Sequence, residues 1–181
     1  GRTYLIKAAS GHGKSSFCNF LFGTRSDYFG KICFDGTDVR TLGVSEWRNL
    51  RRKSLGLMFQ DLELFPELTV YENIAIKNRI TGYFSPERVS GMLALLGLED
   101  KSERQAATLS LGERQRVAFI RALAQPLDFL LMDEPVSHLD ADNAEKMSEI
   151  LAQERSERDF GVIVTSLGNQ LPMDYDELIN L

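Results

Sequence analysis

An α/β fold with a buried parallel sheet is predicted for this chain, on three observations. Strand-like runs alternate with helix-like runs through most of the length, the pattern of strand–helix–strand crossovers. LDFLLMDE (127–134) and FGVIVTS (160–166) are apolar without a polar alternation, as strands covered on both faces are. The chain has 181 residues, 43% hydrophobic and 26% charged, enough for one domain with a substantial core. Its formal net charge of -5 argues against a nucleic-acid partner held by bulk positive charge. No apolar run approaches the roughly 18 residues that a membrane-spanning helix needs. Cys18 and Cys33 lack metal-ligand spacing and are expected to be small buried hydrophobes.

The elements follow in order. TYLIKA (3–8) is a short β-type run leading into a glycine loop, and KSSFCNFLF (14–22) is a helix apolar on most sides, hence buried. KICFDGTDV (31–39) is a strand followed by a turn at Asp35-Gly36. Ser45 is the expected N-cap of a short helix through EWRNLRR, and SLGLMFQ (54–60) is an apolar strand ending at Gln60. The middle then changes character. TVYENIAIKNRI, SPERVSGMLALLG and SLGERQRVAFIRALA all have helical spacing, and MFQDLEL at their start is the one strand-like stretch. Ser85-Pro86 supplies an N-cap and a first-turn proline. Residues from about 61 to 124 thus form an all-helical subdomain inserted between two parts of an α/β core, 1–60 and 125–181. In the second part, ADNAEKMSEILAQERSERD is an amphipathic helix between the two apolar strands, and YDELINL is a last, weaker strand.

The segment KAASGHGKSS (7–16) follows a strand and opens a helix, which is the context a phosphate-binding loop requires. Backbone N–H groups at a helix N-terminus converge on one place and favour an anion there. Gly11 and Gly13 let the backbone curl around phosphates, Lys14 neutralises the β- and γ-phosphates, and the Ser15 hydroxyl suits Mg²⁺. Ser10, His12 and Ser16 complete the set expected to contact nucleotide, His12 at a variable, solvent-facing place. The pattern G-x-x-x-x-G-K-[ST] departs at its first position, where Ala8 replaces glycine.

The stretch LSLGERQRVAFIRALAQPLDFLLMDEPVSHLD (109–140) resembles the signature region of the ATP-binding cassette (ABC) ATPases, and LGLMFQDLELFPELTVYENI (55–74) resembles their Q-loop and the start of their helical subdomain. Motif order and spacing agree from residue 2 to 181. The resemblance implies a P-loop NTPase parallel-sheet core carrying the helical ABC subdomain, with ATP and Mg²⁺ as ligands. It implies that Asp133 is the Walker B aspartate that holds Mg²⁺, and that Glu134 is the general base polarising the attacking water. Gln60 would be the Q-loop glutamine contacting Mg²⁺ and that water; with Ser15 and Asp133 it makes up the metal set. LSLGE (109–113) stands where the family has L-S-G-G-Q, a segment that completes the site of the opposite subunit. Ser110 and the Gly112 backbone would then reach the γ-phosphate on a partner subunit, with Asp140 of the D-loop SHLD nearby. Ser110-x-x-Glu113 is also a capping box, and Asp140 can double as a helix N-cap.

Further departures from the family accompany these agreements. Leu111 replaces a glycine of the signature, and Ser166 stands where the family places a histidine that contacts the γ-phosphate. A serine hydroxyl is shorter and cannot take a positive charge, so slower hydrolysis is expected. Gly1 already lies at the entrance to the phosphate-loop strand; the family's N-terminal antiparallel strands, with the aromatic that stacks on adenine, are expected to be missing from the given sequence. The resemblance implies an energy-coupling subunit that pairs with a second ABC ATPase subunit, identical or not, and with a transmembrane permease, on the cytoplasmic face of the membrane. Leu64, Phe65 and Leu68 are candidates for the permease contact, or for the subdomain core. Two alternatives remain open: a weakly or non-hydrolysing regulatory clamp, and a soluble ABC ATPase outside transport.

Overall fold

The computed structural model describes residues 1–7 and 13–180. Five strands, β1 (Thr3–Lys7), β4 (Leu55–Met58), β5 (Phe129–Asp133), β6 (Gly161–Ser166) and β7 (Glu177–Asn180), form one sheet in the order β4-β5-β6-β1-β7. Every pairing in it is parallel. β2 (Cys33–Phe34) and β3 (Thr37–Asp38) form a separate antiparallel ribbon. Its turn is Asp35-Gly36, with φ of +48° and +79°, the two left-handed residues that a tight hairpin demands. The helices are α1 (Lys14–Phe22), α2 (Val44–Lys53), α3 (Val70–Thr81), α4 (Pro86–Leu95), α5 (Leu111–Leu123) and α6 (Ala141–Arg158).

The period-2 rule of strands divides the core between the two faces of the sheet. Leu130, Met132, Val162 and Val164 point into a large cluster with Val117, Ile120, Met147 and Leu151 from α5 and α6. Their neighbours Leu131 and Ile163, with Leu55 and Leu57, point the other way, toward Cys18 and Phe22 of α1 and Trp47 and Leu50 of α2. Both faces are therefore covered, which explains why these strands read as continuous apolar runs. Between Met58 and Phe129 the chain contains α3, α4, α5 and short 3-10 turns; an isolated Thr69–Gln105 bridge is its one β contact among the described residues. The stretch read as MFQDLEL is strand only as far as Met58. Beyond it Leu62 and Glu63 take φ of +61° and +51°, a conformation that no strand contains.

Two local expectations are corrected. Gly43, not Ser45, is the N-cap of α2: the Glu46 carboxylate reaches back to accept the Gly43 N–H at 2.7 Å, which fixes the helix start two residues earlier. Cys18 is buried as expected, but Cys33 is exposed on the ribbon. Among the described residues no helix is long and apolar enough to cross a membrane.

Candidate nucleotide-binding and catalytic site

The parallel register aligns the C-terminal ends of neighbouring strands, which is where open α/β sheets place their chemistry. β5 and β6 pair so that Asp133 lies opposite Thr165. The Thr165 hydroxyl donates to Asp133 Oδ1 at 2.5 Å, which orients a carboxylate only 4% exposed. On the same face of the sheet the Cys18 thiol is buried near that charge; burial and then the Asp133 charge push its pKa well up, so it stays neutral.

Immediately after Asp133 the backbone turns sharply. Glu134 has φ of +51°, the left-handed region, which is uncommon outside glycine and costs about 1–3 kcal/mol wherever it is held. Its N–H donates to the Thr165 carbonyl at 3.1 Å, and its own carbonyl accepts from Gln115 Nε2 at 3.1 Å. The turn sets the Glu134 carboxylate facing α1, with Oε1 3.8 Å from Lys14 Nζ.

α1 begins at Gly13, whose φ of +88° only glycine adopts readily. With no side chain at this N-cap, the first-turn amides keep their positive pole toward the cleft. Lys14 is the first residue of the helix and is 5% exposed. Ser15, one residue on, donates its hydroxyl to Gln60 Oε1 at 3.0 Å, so the end of β4 is tied to the first turn of α1. Gly13, Lys14, Ser15, Ser16, Gln60 and Glu134 together line a cleft of about 240 Å³. Ser10, Gly11 and His12, and the departure at Ala8, lie outside the described residues.

The hard oxygens at this place suit Mg²⁺. The Ser15 hydroxyl and the Gln60 amide oxygen meet in the cleft, and the buried Asp133 carboxylate ends the neighbouring strand. The donor set therefore fits the ion. Once bound there, Mg²⁺ would neutralise charge on the phosphate oxygens.

Ser166 is placed differently from a residue reaching into the cleft. It is buried, donates its hydroxyl to the Asn169 carbonyl at 2.6 Å and accepts the Gly168 N–H at 3.1 Å. Its hydroxyl is committed to the turn after β6. Leu167, the next residue, lines the cleft instead and is 50% exposed.

Ser110, Gly112 and Asp140 do not line this cleft; they gather at the N-terminus of α5 and the start of α6. Ser110 is the N-cap of α5: its oxygen accepts the Glu113 N–H at 3.3 Å, and Glu113 Oε2 accepts the Ser110 N–H at 2.7 Å. A Cβ on Gly112 would lie 2.9 Å from the His138 carbonyl oxygen, so glycine is what lets α5 approach the 137–140 loop. Asp140 caps α6 by accepting the Asn143 N–H at 2.8 Å. Leu111 is part-exposed on the first turn of α5.

Three contributors were not identified from the sequence. Thr165 and Leu167 follow from the strand register and the turn after β6, which no local pattern displays. Gln115 did leave a signal: it falls four residues before Phe119 on the buried face of α5, a polar residue where the helical period asks for an apolar one. Arg121, on the same helix, donates to the carbonyls of Leu62 and Glu63, both at 2.6 Å, and so holds the left-handed pair beyond Gln60.

A parallel sheet, a glycine-opened helix at one strand end and an acidic pair at another are the framework of a P-loop nucleoside triphosphatase. The comparisons with known proteins agree: the sequence pattern of the ABC transporter family matches residues 1–137, and the chain belongs to that family. It is 34% identical over 167 residues to the ABC transporter ATP-binding protein YtrE of Bacillus subtilis, covering 91% of this chain and 72% of that protein. It is 31% identical over 185 residues to the lipoprotein-releasing system ATP-binding protein LolD of Coxiella burnetii, covering 100% of this chain and 79% of that one. Among solved structures it is similar to the dimeric bacterial ABC transporter cassette MJ0796, with a TM-score of 0.79 and 30% identity over 91% of this chain and 74% of that chain. The chain is thus an ABC-type ATPase, a fold and class that the sequence motifs anticipated.

Proposed function

We propose that this chain binds Mg-ATP in the cleft between α1 and β5, hydrolyses it with Glu134 as general base, and drives a transmembrane permease by ATP-dependent pairing with a second ABC subunit. The observation that supports this most directly is the cleft itself: a buried Lys14, a carboxylate facing it from a left-handed backbone, and the Ser15 hydroxyl and Gln60 amide oxygen brought together beside them. Lys14, Ser15, Ser16 and the amides from Gly13 onward would hold the phosphates. Glu134 would accept a proton from the attacking water, and Gln60 would orient that water. Because Ser110 and Gly112 lie away from this cleft, they are available to complete the cleft of a second subunit, with Asp140 at the same surface. The dimeric state of the MJ0796 cassette supports that reading.

A permease contact is supported by the outer surface. Phe65 is 50% exposed while Leu64 packs on the core, so of the apolar residues beyond Gln60 it is Phe65 that faces outward. Beside α3, a cavity of about 620 Å³ is floored by Val44, Trp47 and Ile80 and edged by Arg48, Arg51 and Lys77. A short amphipathic segment with an acidic residue would suit it.

The test is Mg-dependent phosphate release as a function of protein concentration, with Glu134→Gln as control. The expected result is turnover that rises faster than linearly and falls about 10²–10⁴-fold in the control. Normal hydrolysis by Glu134→Gln would remove the base assignment. One observation favours a second reading, the long-lived ATP clamp: Ser166 is tied into its turn and apolar Leu167 takes the place beside the phosphate end. ATP-dependent dimers without turnover, in the presence of a reconstituted permease, would establish that reading.

A further inference from the structure

The buried Gln115 of α5 belongs to neither the cleft nor the exposed signature turn, yet it touches both Glu134 and the loop that follows it. It is 1% exposed. Its amide nitrogen donates to the Glu134 carbonyl at 3.1 Å and to Ser137 Oγ at 3.3 Å, and its amide oxygen accepts the His138 N–H at 3.2 Å. Ser137 Oγ in turn lies 2.8 Å from His138 Nδ1. Five residues earlier on the same helix is Ser110, and Gly112 packs on the His138 carbonyl. A single rigid helix therefore presents its first turn outward and grips, through Gln115, the backbone just beyond the acidic strand end.

This grip falls where it has the most to do. Glu134 is held at φ +51°, a conformation that relaxes unless its surroundings over-determine it. Its N–H is held by the Thr165 carbonyl, and its carbonyl accepts both the Ser137 N–H of the same turn at 3.3 Å and the Gln115 amide at 3.1 Å, the one partner of the three that comes from α5. Without the Gln115 donor, the carbonyl side of the strained peptide keeps only the longer Ser137 bond from within its own turn, loses its side-chain tie to α5, and sets the carboxylate facing Lys14 less firmly.

We infer that Gln115 is a positioning residue for hydrolysis: it holds the Glu134 backbone in its left-handed turn and links that turn rigidly to the Ser110 end of α5, so that engagement of α5 by a partner's nucleotide is felt at the base. The inference rests on the reading of Glu134 as base. Its chemistry is specific: only a donor at the Glu134 carbonyl and an acceptor at the His138 N–H will serve, and a carboxamide offers both.

The experiment compares wild type, Gln115→Met, Gln115→Glu and Glu134→Gln for ATP affinity, kcat, KM and ATP-driven dimerisation. Gln115→Met keeps the volume and removes both polar ends; kcat is expected to fall about tenfold or more, with KM and ATP affinity within about twofold. Gln115→Glu keeps the acceptor, and its carboxyl donates to Glu134 only while protonated. Its kcat relative to wild type is therefore expected to fall as pH rises through the titration of that carboxyl, a limb absent from Gln115→Met. An unchanged kcat in Gln115→Met, or a parallel loss of kcat, ATP affinity and thermal stability, would overturn the inference in favour of plain packing. Failure of the underlying reading looks different: Glu134→Gln would then hydrolyse like wild type. Amide exchange gives a readout that does not need turnover. Gln115→Met should speed exchange at 134–138 and leave β1 and α1 unchanged, and equal protection in both proteins would overturn the inference.

Discussion

At the N-terminus of α5, Ser110 and Glu113 satisfy one another's backbone N–H groups, and Lys101 closes on the Glu113 carboxylate. At the N-terminus of α1, Gly13 has no side chain to offer, and the buried charge beside the first turn is a cation, Lys14. The two helices face the same electrostatic problem, donors and a positive pole at their first turn. α5 answers it with its own acidic residue and stands complete without a ligand. α1 has no side-chain cap at Gly13 and adds the cation Lys14 to its first turn, facing the Glu134 carboxylate across the cleft, so this end is suited to take a further anion. The difference separates an element that must be rigid before anything binds from one whose stability is tied to binding.

The largest expected break of this comparison is Lys14→Ala. Loss of the charge partner for the phosphates should weaken ATP binding by about 10–100-fold, the range of a charge-assisted hydrogen bond. The same substitution should leave the apo protein folded, because the charge it removes from the Glu134 pair is offset by relief of a cation at a positive helix end. Calorimetric titration with Mg-ATP and thermal melts without nucleotide check the two halves. Unchanged affinity would mean that the α1 end does not hold the phosphates.

Next comes Gly112→Ala, which acts on α5. The added methyl would meet the His138 carbonyl oxygen at 2.9 Å, a backbone atom that cannot swing aside. A loss of about 1–3 kcal/mol is expected from overpacking, seen as a lower melting temperature. The shift of α5 from the 137–140 loop should also lower turnover while leaving monomer affinity for ATP near wild type. A variant as stable as wild type would show that α5 is less tightly seated than its contacts indicate.

What the sequence made legible in these two regions differs for a physical reason. The capping box of α5, the cap of α6 at Asp140 and the glycine opening of α1 are written in residues three or fewer apart, and all were readable. So was the α/β class, because strands buried on both faces leave unbroken apolar runs. The order β4-β5-β6-β1-β7 was not readable, since β1 pairs with β6 across more than 150 intervening residues, from Lys7 to Gly161. With the order went the Thr165–Asp133 hydrogen bond and the place of Leu167 at the cleft. Ser45 was misread as a cap because its residue type is favourable, while the decisive group was the Glu46 side chain reaching back to Gly43. Ser166 occupies the expected sequence position, but a shorter side chain finds partners in its own turn before it can reach outward.

The smallest effect, and the one that isolates charge from geometry at α5, is Glu113→Gln. Glutamine can still accept the Ser110 N–H, so the capping box survives and only the ion pair with Lys101 is removed. In the folded protein the Lys101 hydrogen bond, and after it the Ser110 backbone N–H, hold the Glu113 carboxyl down to about 2. Its folded-state pKa is thus below the unfolded value, so the ionised pair stabilises fully above the ordinary glutamate range. That contribution is lost as pH falls from there toward about 2, because protons then bind the unfolded chain first. At neutral pH the substitution should cost about 1 kcal/mol or less, as for a part-exposed ion pair. The stability difference between wild type and variant should shrink through that acid window and vanish below it. A difference that stayed constant with pH would place the role of Glu113 in the cap alone, and the contrast with α1 would then rest on hydrogen bonding and not on charge.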